Sequence, residues 1–509
     1  MSHPPVRFGA FLVDAEAYRL TRGTTVIELA PKAFDLLLLL ARQPGRLVTK
    51  DDILAAIWPD VAVTDNALTQ VVSDLRQALG DSPSEPRFIE TVHRRGYRFV
   101  GESQGSQGSQ GSQGSQGSQG SQGFLGPQSP RETASLDAYR ALTEGRLKLE
   151  SLNLAEIPHA IAAFERALAL DPQHALAHVG LAHARFWQFQ GTRSRTRPDM
   201  ASLTAAIAHA RRAIEFDPEM AEAHSALGLF LAGAEQREDG VAACRRALTL
   251  EPGNWRHQFR LGMAAWGGER LSWLEAVTAH YPALSYAYFG RAMVYVARGT
   301  LDRAEQVLRD GVANERRASE GAERFPASGL HWLLGLVRLA QGDAAGARVA
   351  FDRELQSPGN RLFADEYLRD AWTGHGCALL AGGDHAGAVG MFERVLAEMP
   401  DHPRALIGLA GAHRRLGARR KAEAAAGTLK QTIEDLRAGG RLGDAGIVTA
   451  LGLAAAGRGQ DATSTLEQLL RTAPPGSTGW MLPIEPTLAP LRGDPTHVAV
   501  LAQVATRAR

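Results

Sequence analysis

VTDNALTQVVSDLRQALGD, residues 63–81, carries apolar side chains at Leu68, Val71 or Val72, Leu75 and Leu79, a spacing of three and four that lines them along one stripe of a helix. Asn66, Thr69, Gln70, Ser73 and Asp74 fall off that stripe. The pattern predicts an amphipathic helix over 65–79, with one buried and one hydrophilic face, ended by Gly80. Upstream, LAPKAFDLLLLLARQPGRLVTKDDILAAIWPD (residues 29–60) predicts two more helices. The first opens at Pro31 and stops at Pro44-Gly45, and the second starts behind Thr49 as N-cap and ends before Pro59. Before these, alternation at Tyr18-Arg19-Leu20-Thr21 and Val26-Ile27-Glu28-Leu29, broken by Arg22-Gly23, predicts a small antiparallel sheet. Downstream, PRFIETVHRRGYRFVGE (residues 86–102) reads as two short strands around His93-Arg94-Arg95-Gly96, a tight hairpin with a positively charged tip.

Strands, three helices and a terminal basic hairpin follow the order of a winged helix-turn-helix. The three quoted runs resemble, nearly residue for residue, the OmpR-type C-terminal effector domain, and the resemblance covers about residues 5–102. It implies that the helix 65–79 lies in the major groove of double-stranded DNA while the hairpin touches the minor groove or the backbone. On that placement the candidate base readers are Asn66, Thr69, Gln70 and Ser73, since Asn and Gln match adenine's paired donor and acceptor and Thr can touch a thymine methyl. Arg76 is read as a phosphate contact, and Arg94 and Arg95 as wing contacts. Without the resemblance the same polar residues are a solvated helix face. Residues 1–102 hold 12 Lys+Arg against 13 Asp+Glu, a net charge of −1, and Asp74 sits where a cation would help. Affinity for DNA scales with the phosphates neutralised, so one such domain is expected to bind weakly and two copies on adjacent half-sites to be needed. The resemblance also implies contact with RNA polymerase through the loop Trp58 to Thr64, and activation rather than repression.

The sharpest change of composition is SQGSQGSQGSQGSQGSQGSQG, residues 103–123, which has nothing to bury and reads as a flexible linker extending to about 130. Its 21 residues have an r.m.s. reach of about 25 Å as a Gly-rich coil. Beyond it, AIAAFERALALDP, AIAHARRAIEFDP and GVAACRRALTLEP each end in an acid and a proline, at Pro172, Pro218 and Pro252, with Pro326 and Pro400 further on. The spacing from Pro218 to Pro252 is 34 residues, the tetratricopeptide period. Small and large residues recur in register with the prolines, as at Leu227, Gly228 and Ala247 and again at Gly376, Ala388 and Phe392. The expectation is eight or nine helix pairs within 131–509, an inserted loop at GTRSRTRPDM, and a tail, GWMLPIEPTLAPLRGDP, capping the last helix. The fold is thus mainly α: an α+β winged helix over 1–102 followed by an all-α tetratricopeptide solenoid. The opening repeat, in which ALALDP is followed by HALAHVGLAHA, resembles the C-terminal halves of CadC-like regulators, whose halves are joined by a membrane span where this chain has the glycine-rich linker.

Such a solenoid commonly holds a peptide or protein ligand in a groove. Phe186, Trp187, Phe259, Trp266, Tyr295 and Trp332 are candidates for an apolar strip in that groove, with packing between repeats as the alternative, and Arg193, Arg195 and Arg197 read as a solvated loop. No Walker A loop, dinucleotide fingerprint, HExxH or cysteine pair at metal spacing occurs, so no catalytic residue, metal or cofactor is expected. His174 and His178, four apart, lack a third ligand type nearby. The formal charge of +1 gives no whole-chain attraction to nucleic acid, and two cysteines, Cys244 and Cys377, fit a reducing compartment. The N-terminal stretch has no signal-peptide pattern, and the longest apolar run, Leu36 to Ala41, is too short to span a bilayer, so a cytoplasmic protein is expected. The overall reading is a transcription regulator whose repeats sense a signal, self-associate or contact protein partners. The alternatives are an adaptor in which only the solenoid works, or a small-molecule sensor using the aromatic strip.

Overall fold

The computed structural model describes residues 6–14, 19–23, 25–27, 29, 31–57, 65–82, 86–92, 95–101, 130–151, 153–318, 329–356 and 363–509 of the chain. It divides into two compact units, Met1–Leu125 and Gly126–Arg509.

In the first unit β1 (Val6–Phe8), β2 (Phe11–Asp14), β3 (Arg19–Arg22) and β4 (Thr25–Ile27) form an antiparallel meander in sequence order. Its register sets Val13 opposite Leu20, and both are fully buried, as period-2 alternation requires for the core-facing side. Then come α1 (Pro31–Ala41), β5 (Leu47–Thr49), α2 (Lys50–Ile57), α3 (Asp65–Leu79), β6 (Ile89–Val92) and β7 (Gly96–Phe99). Pro31 opens α1 and the Thr49 hydroxyl accepts from the Asp52 amide at 3.1 Å at the start of α2, as the capping signals predict. The strand β5 was not anticipated. Three residues are too few to show alternation, and Leu47 to Thr49 become a strand only by pairing with β7, in a sheet of order β5-β7-β6. Phe8 packs edge-on against Phe99 at 4.9 Å between centroids and against Phe88 at 5.4 Å, which fastens the N-terminal meander to the hairpin strands.

The second unit is helical. Its pairs are α4 (Pro130–Glu150) with α5 (Ile157–Leu170), α6 (Ala175–Gln190) with α7 (Met200–Phe216), α8 (Ala221–Gly233) with α9 (Arg237–Leu250), and α10 (Trp255–Ala264) with α11 (Gly267–His280). There follow α12 (Ser285–Ala297) with α13 (Leu301–Ala318), α14 (Leu330–Ala340) with α15 (Ala344–Leu355), and α16 (Ala364–Ala381) with α17 (His385–Glu398). The array ends in α18 (Pro403–Arg415) with α19 (Arg419–Ala438), α20 (Leu442–Ala455) with α21 (Gly459–Thr472), and a closing helix α22 (Pro495–Arg507). The recurring small residues have a direct cause. A Cβ added at Gly180 would lie 2.3 Å from the Phe164 ring, and one at Gly335 would lie 2.4 Å from Phe351, so the first helix of one pair can receive the buried phenylalanine of a neighbouring second helix only where no side chain intervenes.

Two features depart from a plain stack, in which each repeat touches only its neighbours. The loop between α6 and α7 reaches repeats 170 and more residues away. Arg193 pairs with Glu366 at 3.0 Å and its guanidinium lies over Phe363 at 4.4 Å, the Thr196 hydroxyl donates to Asp401, and Arg197 meets Asp435 at 3.2 Å. The expectation of a solvated loop is therefore corrected for Arg193, whereas the side chains of Arg195 and Arg197 are exposed. Likewise the tail does more than cap the last helix. Its short 3-10 turns, Leu482–Ile484 and Pro486–Leu491, pack on α12, α14 and α20, with Ile484 fully buried in the same core as Leu333 and Phe351. Arg404 of α18 holds the buried Glu485 at 3.0 Å, and Arg298, just past the end of α12, donates to the Ala508 carbonyl at 2.8 Å.

Candidate DNA-reading surface

Helix α3 buries Leu68, Val72, Leu75 and Leu79, which settles the sequence ambiguity between Val71 and Val72: Val72 is in the core and Val71 is half-buried beside it. With that stripe inward, Thr69, Ser73 and Gln77 are exposed on the helix. Asn66 and Gln70 belong to the same helix, but their side chains lie outside the described residues, as do His93, Arg94 and the loop Trp58 to Thr64. Arg95 is exposed in the turn between β6 and β7, where its amide donates to the Val92 carbonyl at 2.9 Å.

The expected phosphate contact at Arg76 is corrected. Only 9% of this residue is exposed, and its guanidinium donates to the Ile89 carbonyl at 2.7 Å and to the Thr91 hydroxyl at 2.8 Å, both on β6. It is a strut between α3 and the hairpin, not a free cation. Hydrogen bonds donated by a charged guanidinium are stronger than neutral ones, which offsets part of the cost of taking it out of water.

Two further residues set the hairpin, and sequence reasoning had not assigned either. The Asp81 carboxylate, just past Gly80, accepts from the backbone amides of Arg87 at 2.6 Å, Phe88 at 3.1 Å and Ile89 at 2.7 Å, so it fixes how the chain enters β6. An acid after a helix-ending glycine was the available signal, but its partners lie six to eight residues on. Gly96, quoted only as part of a turn, faces both Thr49 and Val92 in the ladders. A Cβ there would lie 2.1 Å from the Val48 carbonyl oxygen, so only glycine lets β5 and β7 approach. On the adjoining strands Glu90 and Arg98 stand directly opposite and pair at 3.0 Å.

The six aromatic candidates in the solenoid do not line up as one strip; they are distributed among separate cores. Phe186 is 2% exposed and packs at a tilt on Phe230, with 4.5 Å between ring centroids; Trp332 is 7% exposed, between Phe289 and Tyr367. Trp187 is partly buried near Phe363, Phe259 packs on Leu274 and Val277, and Trp266 lies under the Arg270 guanidinium at 4.8 Å. Tyr295 packs beside Val294 and its hydroxyl donates to Glu275 at 3.2 Å. Packing between repeats is what the structure gives these side chains.

Among the described residues no group of three or more His, Cys, Asp or Glu side chains is placed to hold a metal ion. The His174 Nδ1 atom caps α6 by accepting from the Ala177 amide, and His178 meets His209 at 3.0 Å between their Nδ1 atoms. Burial, and then the neighbouring His178, pushes the His209 imidazole down to about 4. The thiols of Cys244 and Cys377 are free, and burial pushes both up to about 12, which keeps them in the unreactive thiol form. Among the described residues no helix is long and apolar enough to cross a membrane.

Comparison with known proteins agrees with this geometry. Residues 23–99 match the family "Transcriptional regulatory protein, C terminal", and residues 379–436 match a tetratricopeptide repeat family. The transcriptional activator CadC of Escherichia coli is 33% identical over 101 residues, which cover 20% of this chain and 20% of that protein. The cholera toxin homolog transcriptional activator of Vibrio parahaemolyticus is 35% identical over 80 residues, 15% of this chain and 27% of that protein. The chain thus spans only about a fifth to a quarter of these relatives' length. Among solved structures, the DNA-binding domain of Escherichia coli CadC is 30% identical, covering 20% of this chain and 97% of that one, with a TM-score of 0.19.

Proposed function

From a chain that sets an OmpR-type winged-helix domain ahead of tetratricopeptide repeats, we infer a DNA-binding transcription regulator that reads a promoter with α3 and takes its instruction through the solenoid. The observation that carries this reading is the pairing of an exposed polar face, Thr69 and Ser73, with a buried strut, Arg76, that holds the same helix to the β6–β7 hairpin. A reading head must keep helix and wing in one rigid frame if both are to meet one duplex. Asn66, Thr69, Gln70 and Ser73 are assigned to base edges, Arg94 and Arg95 to the minor groove or backbone, and residues 58–64 to RNA polymerase in an activator working in the cytoplasm. With Arg76 committed internally and a net charge of −1 over residues 1–102, two copies on adjacent half-sites supply the affinity that one lacks.

That same charge favours a second reading, a protein-interaction adaptor whose winged helix no longer binds DNA. Selection of genomic fragments by the full chain separates the two. The regulator enriches a sequence with two half-sites about 10 base pairs apart, centre to centre. Recovery of no common sequence would leave the adaptor.

A further inference from the structure

Between α13, α14 and α15 the second unit opens a cleft of about 300 Å³, at the lower end of the size of small-molecule sites. Its apolar lining is Val312, Leu334, Val349 and Ala350; its polar lining is Arg309, Arg338, Arg353 and His331. Among the described residues no acidic side chain lines it. Of the described carboxylates on the same helices, Asp302 accepts from the Gln341 side-chain amide at 2.9 Å, Glu305 is engaged by Arg338 at 3.1 Å, the buried Glu354 accepts from the amides of Gly329 and Trp332, Asp352 lies against His375, and Asp310 lines the neighbouring cleft. Arg309 and Arg353 are exposed and meet no carboxylate among the described residues. His331 adds a buried Nδ1 atom with no hydrogen-bond partner among those residues.

The neighbouring cleft is the control. It shares Ala313 with this one and is of similar size, about 320 Å³, but Glu275 and Asp310 balance its Arg291, and Arg291 already donates to Thr278 at 3.1 Å. Like charges collected around an apolar floor repel one another and raise the local concentration of anions, so the cleft with uncompensated arginines is the one a ligand would stabilise.

We propose that the α13–α15 cleft binds a small amphipathic carboxylate, its hydrocarbon part on Val312, Leu334, Val349 and Ala350 and its carboxylate between Arg309 and Arg353, with the imidazole of His331 as a neutral hydrogen-bonding group. Burial, then Arg353 and Arg338, hold the His331 imidazole down at about 4, so it carries no proton charge at neutral pH and binding is level from pH 6 to 8. The inference is independent of DNA reading, because the test contains no DNA.

Titration calorimetry of the full chain with sodium octanoate, 1-octanol and inorganic phosphate tests it. Octanoate saturates one site, and Arg309→Gln with Arg353→Gln weakens it roughly tenfold or more, the loss expected when charge-assisted bonds are removed. Val349→Glu, which puts an acid in the lining at a half-exposed position, has the same effect by pairing the arginines internally. Both variants change exposed side chains, and an unaltered thermal transition checks that they fold. The proposal is overturned by any one of four results: no saturable octanoate binding, octanol binding as tightly as octanoate, phosphate binding as tightly as octanoate, or octanoate affinity unchanged in the folded variants.

Discussion

The winged-helix unit is tied together both by short-range struts and by contacts across nearly its whole length, such as Phe8 with Phe99, whereas the solenoid adds ties between repeats 170 and more residues apart. Arg76 reaches Ile89 and Thr91, 13 and 15 residues away; Arg193 reaches Glu366, 173 residues away. Both arginines read from sequence as surface cations, and both are struts. The lesson is that an arginine's task depends on whether a carbonyl or carboxylate waits for it, which periodicity records for neither. What differs is the cost of closure: a long loop between two contact points adds entropy only logarithmically, so distant ties are affordable once the intervening repeats are already ordered.

The tail is where this contrast can be broken with the largest effect. Ile484→Asp places a carboxylate in the fully buried site that joins the tail to α12 and α14, and it should cost the solenoid about 4 kcal/mol, from lost apolar burial and an unpaired polar group together. In urea unfolding the helical transition moves to lower denaturant while the winged-helix transition stays in place. A tail that is only an appendage would leave both where they are.

Arg76→Ala comes next, at roughly 2–3 kcal/mol for the loss of two charge-assisted bonds in the first unit. The salt dependence of DNA binding distinguishes its two readings. A phosphate contact contributes about 0.9 to the slope of log affinity against log salt. An internal strut contributes none, so the variant should bind more weakly at every salt concentration with the slope of the parent. A slope reduced by about one unit would restore Arg76 to the DNA.

For the solenoid's own strut the expected effect is smaller. Arg193→Ala removes the Glu366 pair and the stacking on Phe363, about 1–2 kcal/mol after allowing for the third of the arginine side chain that stays in solvent. Arg193→Lys keeps the charge but loses the fork that meets both Glu366 oxygens, and it should fall between parent and alanine. Equal stability of the alanine variant and the parent would return this loop to the solvated reading.

How far the sequence reaches follows the same division. The stripe Leu68, Leu75 and Leu79 and the pairing of Gly376 with Phe392 were legible because helical spacing and the 34-residue period are local. The strand β5, the hold of Asp81 on β6 and the return of the tail to α14 were not, since each exists only through a partner elsewhere in the chain. The aromatic strip failed for a related reason: a solenoid register says which helix carries Trp332, but burial between Phe289 and Tyr367 depends on how neighbouring pairs and the tail close around it.

The smallest effect on stability belongs to the residues on which the functional reading rests. Thr69 and Ser73 are exposed on α3, and alanine is the better helix former, so Thr69→Ala with Ser73→Ala should change unfolding by no more than about 0.5 kcal/mol. Binding should respond quite differently. If these side chains meet base edges, the double variant loses about 1–3 kcal/mol of discrimination at the positions they read, and fragment selection returns a motif degenerate there while the half-site spacing is kept. Unchanged selectivity in a folded double variant would leave α3 in contact with backbone alone. Sequence choice would then rest on Asn66, Gln70 and the hairpin, and the comparison between the two units would sharpen further: the first would resemble the second in devoting its most telling side chains to holding itself together.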